Sequence, residues 1–165
     1  MQSKDECYIM PGRNVRMSEM NALLGHIQLS HLDDFLYRRR QIARLYSNEL
    51  YKLKGVKLVI PDKFESSSFW KFIILLDASI DRAGVTEYLK SEGVSVDWSY
   101  FPALHLQPVF RELYNTFEGQ LPNSEDLLSR HICLPCHPGI SDKEVFHVVN
   151  TLRHAISSFL GSPKT

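Results

Sequence analysis

The chain has 165 residues, 44% hydrophobic and 23% charged, which suits an ordinary soluble globular protein with one core and an appendage. Its 19 Lys plus Arg balance 19 Asp plus Glu, so no global field recruits nucleic acid or anionic lipid. No apolar run reaches the roughly 20 residues of a membrane span, and the polar N-terminus is not signal-like, so the expectation is a cytoplasmic protein with no membrane partner.

Residues 1–11 carry no periodicity and read as an exposed loop. From Ser18, a suitable N-cap, one helical pattern runs to Leu53 with apolar residues at Met20, Leu23, Leu24, Ile27, Leu32, Phe35, Leu36, Ile42, Ala43, Tyr46 and Leu50. Gly55 closes it. A helix over 18–53 would span about 54 Å, more than the roughly 30 Å of a small domain, so it must bend, project or lean on something else. The poorer helix formers around 28–34 mark the bend. Arg38-Arg39-Arg40 could meet phosphates, but consecutive helical positions fan around the axis, and the expected reading is a solvated face with one interface arginine rather than a nucleic-acid site.

Next come an extended lead-in over 56–61 and the strongest strand, 69–76, rich in aromatic and β-branched residues. An amphipathic helix over 81–92 is closed by Gly93, and 94–98 reads as a second strand. The segment 100–108, with Pro102, His105 and Pro108, cannot stay regular. Short helices over 109–114 and 122–130, a brief strand over 131–135, and a capping box at Ser141 and Glu144 complete the pattern. The capping box opens a helix with Val145, Val148, Val149, Leu152, Ile156 and Phe159 on one face. The order predicts a small mixed sheet with helices on one side.

Several residues could carry chemistry. His131, Cys133, Cys136 and His137 offer metal ligands, but Cys136 and His137 are adjacent, Pro135 and Pro138 stiffen the segment, and structural zinc sites usually draw their second pair from a distant stretch, so no metal is expected. The three cysteines, with Cys7, are too few for a secreted disulfide framework. His105 can serve as a general acid, a general base or an anion ligand, or be merely solvated, and spacing does not choose between these. Asn14 and Arg16, just before a helix N-terminus, have the chemistry of phosphate capture or of a cap plus a surface charge.

Four pieces in order resemble the C-terminal part of the DegT-type sugar-nucleotide aminotransferases, pyridoxal-phosphate enzymes of fold type I. They are Gly12-Arg13-Asn14-Val15-Arg16-Met17-Ser18-Glu19 with Ala22-Leu23-Leu24-Gly25; Leu32-Asp33-Asp34-Phe35 leading to Arg39-Arg40-Gln41-Ile42-Ala43; Pro102-Ala103-Leu104-His105-Leu106-Gln107-Pro108; and Leu134-Pro135-Cys136-His137-Pro138-Gly139-Ile140-Ser141. The resemblance implies an α/β chain in α+β form, with a loop remnant of the large-domain side over 1–17, a long linking helix over 18–54 and a small C-terminal domain over 55–165. It implies that Asn14 reaches a cofactor phosphate across a dimer interface, with Arg16 in support, and that His105 and Tyr100 lie near a nucleotide-linked keto sugar. Glutamate is the implied amino donor, and a homodimer or a full-length homologue the implied partner.

Two departures stand out: Val15 replaces the usual aromatic residue, and the spacing through 100–105 differs from many relatives. The family's Schiff-base lysine precedes the Asn14 motif by many residues, whereas only 13 residues precede Asn14 here and Lys4 is too close to be it. No catalytic residue is therefore assigned, and the chain alone is expected to be incompetent in transamination and to bind no cofactor. The alternative is a non-catalytic dimerisation or interaction domain. If the linking helix is severed from a second domain, Met20, Leu23, Leu24 and Ile27 should be more exposed than Ile42, Tyr46 and Leu50.

Overall fold

A computed structural model describes residues 15–98 and 100–160. Lys4, Cys7 and Asn14 lie outside the described residues. Two compact units divide between Asp33 and Asp34.

In the first unit, residues 15–18 lack regular structure and helix α1 covers Glu19–Ser30. Ser18 Oγ accepts the Asn21 N–H at 3.3 Å and Glu19 sits in the first turn, where the helix dipole favours an acid. The single helix expected over 18–53 is broken at His31, inside the stretch of weak helix formers. There the Ser30 hydroxyl bonds the Ile27 carbonyl at 2.7 Å, and the His31 N–H turns back to Gln28 and Leu29. No α1 residue is buried: Met20, Leu23, Leu24 and Ile27 are 70%, 55%, 57% and 44% exposed.

The second unit holds most of α2 (Leu32–Leu50), then β1 (Val56–Leu58), β2 (Phe72–Leu76), α3 (Arg82–Ser91), α4 (Pro108–Tyr114), α5 (Pro122–Arg130), β3 (His131–Leu134) and α6 (Asp142–Phe159). Ile42, Ala43, Tyr46 and Leu50 of α2 are fully buried, in contrast to the α1 residues. Each fully buried Ile or Leu contributes about 1.5–3 kcal/mol relative to exposure.

The sheet runs β1-β2-β3 and both pairings are antiparallel, so it is not the mixed sheet expected. Phe72 faces Leu134 and Ile74 faces Ile132, which places Phe72, Ile74, Leu76, Ile132 and Leu134 on one face. That face shares a single core with α2, α3 and α6. The α/β class with helices on one face therefore holds. α3 packs so closely on α6 that a Cβ at Gly84 would come within 2.5 Å of the Phe159 ring.

The strand expected over 94–98 reduces to one antiparallel bridge, Asp97 to Cys133. Gly93 turns the chain at φ 78 and the Val94 N–H returns to Leu89 O at 2.8 Å, leaving little extended chain to pair. β2 begins at Phe72 instead of Phe69, because Phe69 takes a left-handed φ of 43 and lies against the Phe64 ring, 4.5 Å between centroids. No helix among the described residues is long and apolar enough to cross a membrane.

Candidate functional site

The chain-specific chemistry of the second unit gathers where Asp97 joins the β3 edge and the chain runs on through residues 100–106. Asp97 and Cys133 exchange both backbone hydrogen bonds, the Cys133 N–H to Asp97 O at 2.7 Å and the Asp97 N–H to Cys133 O at 3.3 Å. This fixes the Asp97 backbone, and its carboxylate meets Lys71 Nζ. That hydrogen bond holds the ammonium above its ordinary pKa, so Lys71 stays charged. Its Nζ also lies 5.0 Å from the Trp70 ring centroid and 6.0 Å from that of Tyr100. A cavity of about 300 Å³ opens here, lined among others by Arg39, Trp70, Lys71, Asp97 and His137.

Arg39 forms one wall and turns one guanidinium nitrogen to the backbone. Its Nη1 donates to the carbonyls of Phe69 at 3.2 Å, Trp70 at 3.1 Å and Cys136 at 2.7 Å. Its neighbours behave alike: Arg38 donates to Ile140 O and pairs with Asp142 at 2.8 Å, and Arg40 donates to Ser67 O at 3.1 Å. All three arginines tie backbone segments down, where the sequence suggested a solvated face with one interface arginine. Each of the three guanidinium groups is anchored to at least one backbone carbonyl.

Tyr100 is exposed and takes φ 71, a costly conformation for an aromatic residue. A cis Phe101-Pro102 bond follows. Phe101 and Trp98 flank Arg82, whose guanidinium lies 4.5 Å and 6.0 Å from their ring centroids and donates to Leu128 O at 2.9 Å. Burial lowers the pKa of that guanidinium.

His105 sits in a short turn, Leu104–Leu106, ahead of α4. Its Nε2 is 2.8 Å from Glu125 Oε1, and its carbonyl accepts the Thr116 hydroxyl. Glu125 was not legible as a partner: it lies 20 residues on, in α5. Tyr100 and His105 share one connecting segment, whereas Arg16 is exposed ahead of α1 in the other unit.

Cys133 and Cys136 are both buried free thiols. Burial pushes each up to about 11, with Asp97 adding to the rise at Cys133 and Arg39 opposing it at Cys136. No group among the described residues clusters as metal ligands do.

Pyridoxal phosphate requires a lysine able to bond its carbonyl carbon and an acidic or basic partner for its ring nitrogen. Lys71 and Asp97 hold these two chemistries side by side, but each is spent on the other, and a charged ammonium has no lone pair to offer. Paired with each other, Lys71 and Asp97 do not fit this group.

Residues 1–153 match the model of the DegT/DnrJ/EryC1/StrS aminotransferase family. A dTDP-4-amino-4,6-dideoxy-D-glucose transaminase of Shigella dysenteriae is 31% identical over 86% of this chain and 39% of its own length. A dTDP-4-dehydro-2,3,6-trideoxy-D-glucose 4-aminotransferase of Saccharopolyspora spinosa is 32% identical over 88% of this chain and 36% of its own. Among solved structures, the aminotransferase TlmJ from Streptoalloteichus hindustanus superposes with a TM-score of 0.78 at 30% identity, covering 89% of this chain and 38% of that one. The chain thus spans less than two fifths of the length of each of these relatives.

Proposed function

The chain belongs to the DegT/DnrJ/EryC1/StrS aminotransferase family, and from this we propose that it is the C-terminal part of a nucleotide-sugar aminotransferase. The intact enzyme transfers an amino group from glutamate to a keto sugar carried on a nucleotide, with pyridoxal phosphate as cofactor. In that assembly this chain contributes the small domain. Asn14 with Arg16 serve the cofactor phosphate of a neighbouring subunit, and Tyr100 with His105 stand on the sugar side. The observation that carries the reading is the family match along residues 1–153 to transaminases of which the chain spans only part.

What this chain does by itself follows from its chemistry. Lys71 is the lysine beside the cavity, and its pairing with Asp97 keeps it from acting as a nucleophile. We infer that the chain alone does not carry out transamination, and the Lys71–Asp97 pair supports this at that cavity. Mixing it with the separately expressed cofactor portion of a family member, glutamate, pyridoxal phosphate and a dTDP-linked keto sugar tests this. Amino sugar nucleotide, followed by chromatography, should form only when both polypeptides are present. Reduction of the chain alone with borohydride in the presence of pyridoxal phosphate should label no specific lysine. A single labelled lysine would overturn the reading.

The second reading is a non-catalytic interaction domain of the same descent, docking through α1 onto another copy or a full-length homologue. It is favoured by the exposure of Met20, Leu23, Leu24 and Ile27. Sedimentation separates the two readings: a stable homodimer that excludes the cofactor portion supports the second.

A further inference from the structure

The His105 side chain is 10% exposed, and its two ring nitrogens have different surroundings. Nε2 faces Glu125 Oε1 at 2.8 Å. Glu125 also accepts the Gly119 N–H, at 2.9 Å on Oε2 and 3.0 Å on Oε1, and the Leu121 N–H at 3.1 Å. The Gly119 N–H first, then the imidazole, hold this carboxyl below its ordinary range, so near neutral pH it is ionised and can only accept.

An acceptor on one side makes the other side the donor. The ring proton of the neutral imidazole therefore sits on Nε2, and Nδ1 carries a lone pair. Among the described residues none donates to Nδ1, and no fully buried side-chain nitrogen or oxygen goes without a partner, so Nδ1 keeps an opening to solvent. The backbone beneath it is also fixed, through the His105 carbonyl and Thr116. A nine-tenths-buried ring with one nitrogen clamped and the other open is arranged to receive a donor.

The geometry points to Glu125 as a positioning residue that locks His105 in its Nε2–H form, so that Nδ1 is a hydrogen-bond acceptor for a hydroxyl of a sugar ligand. A lone pair takes an O–H and repels a phosphate oxygen, which is itself an acceptor near neutral pH. His105 thereby reads the sugar of a nucleotide sugar and not its phosphates. The ligand class rests on the proposed function, whereas the tautomer does not.

Long-range ¹H–¹⁵N correlation spectra of the full chain, labelled at histidine, test both parts. His105→Gln assigns the resonance, since its amide nitrogen can stand where Nε2 stands and still reach Glu125. The wild type should show one Nε2–H tautomer near neutral pH, and Glu125→Ala a mixture of both. An Nδ1–H or doubly protonated ring in the wild type overturns the inference whether or not the Glu125 variant folds, and leaves the aminotransferase reading standing.

For the ligand, dTDP-glucose should shift the Nδ1 resonance while inorganic pyrophosphate leaves it in place. An equal shift with pyrophosphate, or no shift with any sugar at millimolar concentration, overturns the acceptor role. A shift with methyl glucoside but none with dTDP-glucose supports that role and counts against the nucleotide-sugar reading instead.

Discussion

Tyr46 donates its phenolic hydrogen to the carbonyl oxygen of Pro135 at 2.9 Å, joining α2 to the chain just past β3 across 89 residues. The ring is fully buried, 5.0 Å from that of Phe72, and burial raises the phenol's pKa. Tyr46→Phe keeps the packing and strands the carbonyl. It should lower the unfolding free energy by about 1–3 kcal/mol, the cost of an unmet buried acceptor. In urea titrations the midpoint should fall with an unchanged slope, because the surface exposed on unfolding stays the same.

Arg39 gathers the carbonyls of Phe69, Trp70 and Cys136 on one guanidinium nitrogen. Arg39→Met keeps the stem and leaves these acceptors unmet, so a loss of about 2–3 kcal/mol is expected. Arg39→Lys should recover only part of it, since the ammonium ends a shorter, flexible stem and falls short of the position of Nη1. Thermal unfolding of the two variants beside the wild type measures the difference.

Local rules read α6 correctly. Ser141 and Glu144 form the reciprocal capping box, and Val145, Val148, Val149, Leu152 and Ile156 are buried. Helix α5 and strand β3 were equally visible, because Pro122 starts one and an apolar run marks the other. The long helix was visible, and so was the place of its interruption at 28–34; that the helix breaks there depends on the Ser30 hydroxyl competing for a backbone carbonyl. What a single sequence hides is pairing at long range. Nothing in the spacing joins Glu125 to His105, Lys71 to Asp97, or Arg39 to the carbonyls it collects, since these contacts exist only after elements distant in the chain assemble. For the same reason 94–98 looked like a strand: its composition suits one, but only Asp97 reaches a neighbour.

Glu144 shows the electrostatics of the helix start in isolation. The Ser141 hydroxyl, then the Ser141 N–H, hold its carboxyl below the ordinary 4.5. A carboxylate with a depressed folded-state pKa adds stability that is fully present above 4.5 and is lost as the pH falls through the folded value. The gap in urea midpoint between wild type and Glu144→Gln should therefore be widest near neutral pH and close in acid. Ser141→Ala should cost about 1 kcal/mol at neutral pH. A gap that widens on acidification would contradict the assignment.

Cys133 and Cys136 should resist alkylation. With both thiols pushed up to about 11 from 9.0 by burial, their thiolate population at mildly alkaline pH is on the order of a hundredfold below that of an unfolded chain. Iodoacetamide followed by peptide mass mapping should leave both unmodified in the native protein and label both in urea. Rapid native labelling of either would show that the chain near the bridge to Asp97 opens readily.

The α1 side chains give the clearest contrast between stability and association. Leu24 is 57% exposed, so Leu24→Glu removes little buried surface and should shift the stability of the chain by no more than about 0.5 kcal/mol. If the α1 face serves a second polypeptide, whether the cofactor portion or another copy, the same charge must be desolvated on assembly and the affinity should fall sharply. Ile42→Glu should do the reverse and unfold the chain, since Ile42 lies in the core. Sedimentation of each variant with and without the cofactor portion distinguishes the cases. Undiminished assembly by a folded Leu24→Glu chain would remove α1 from the interface.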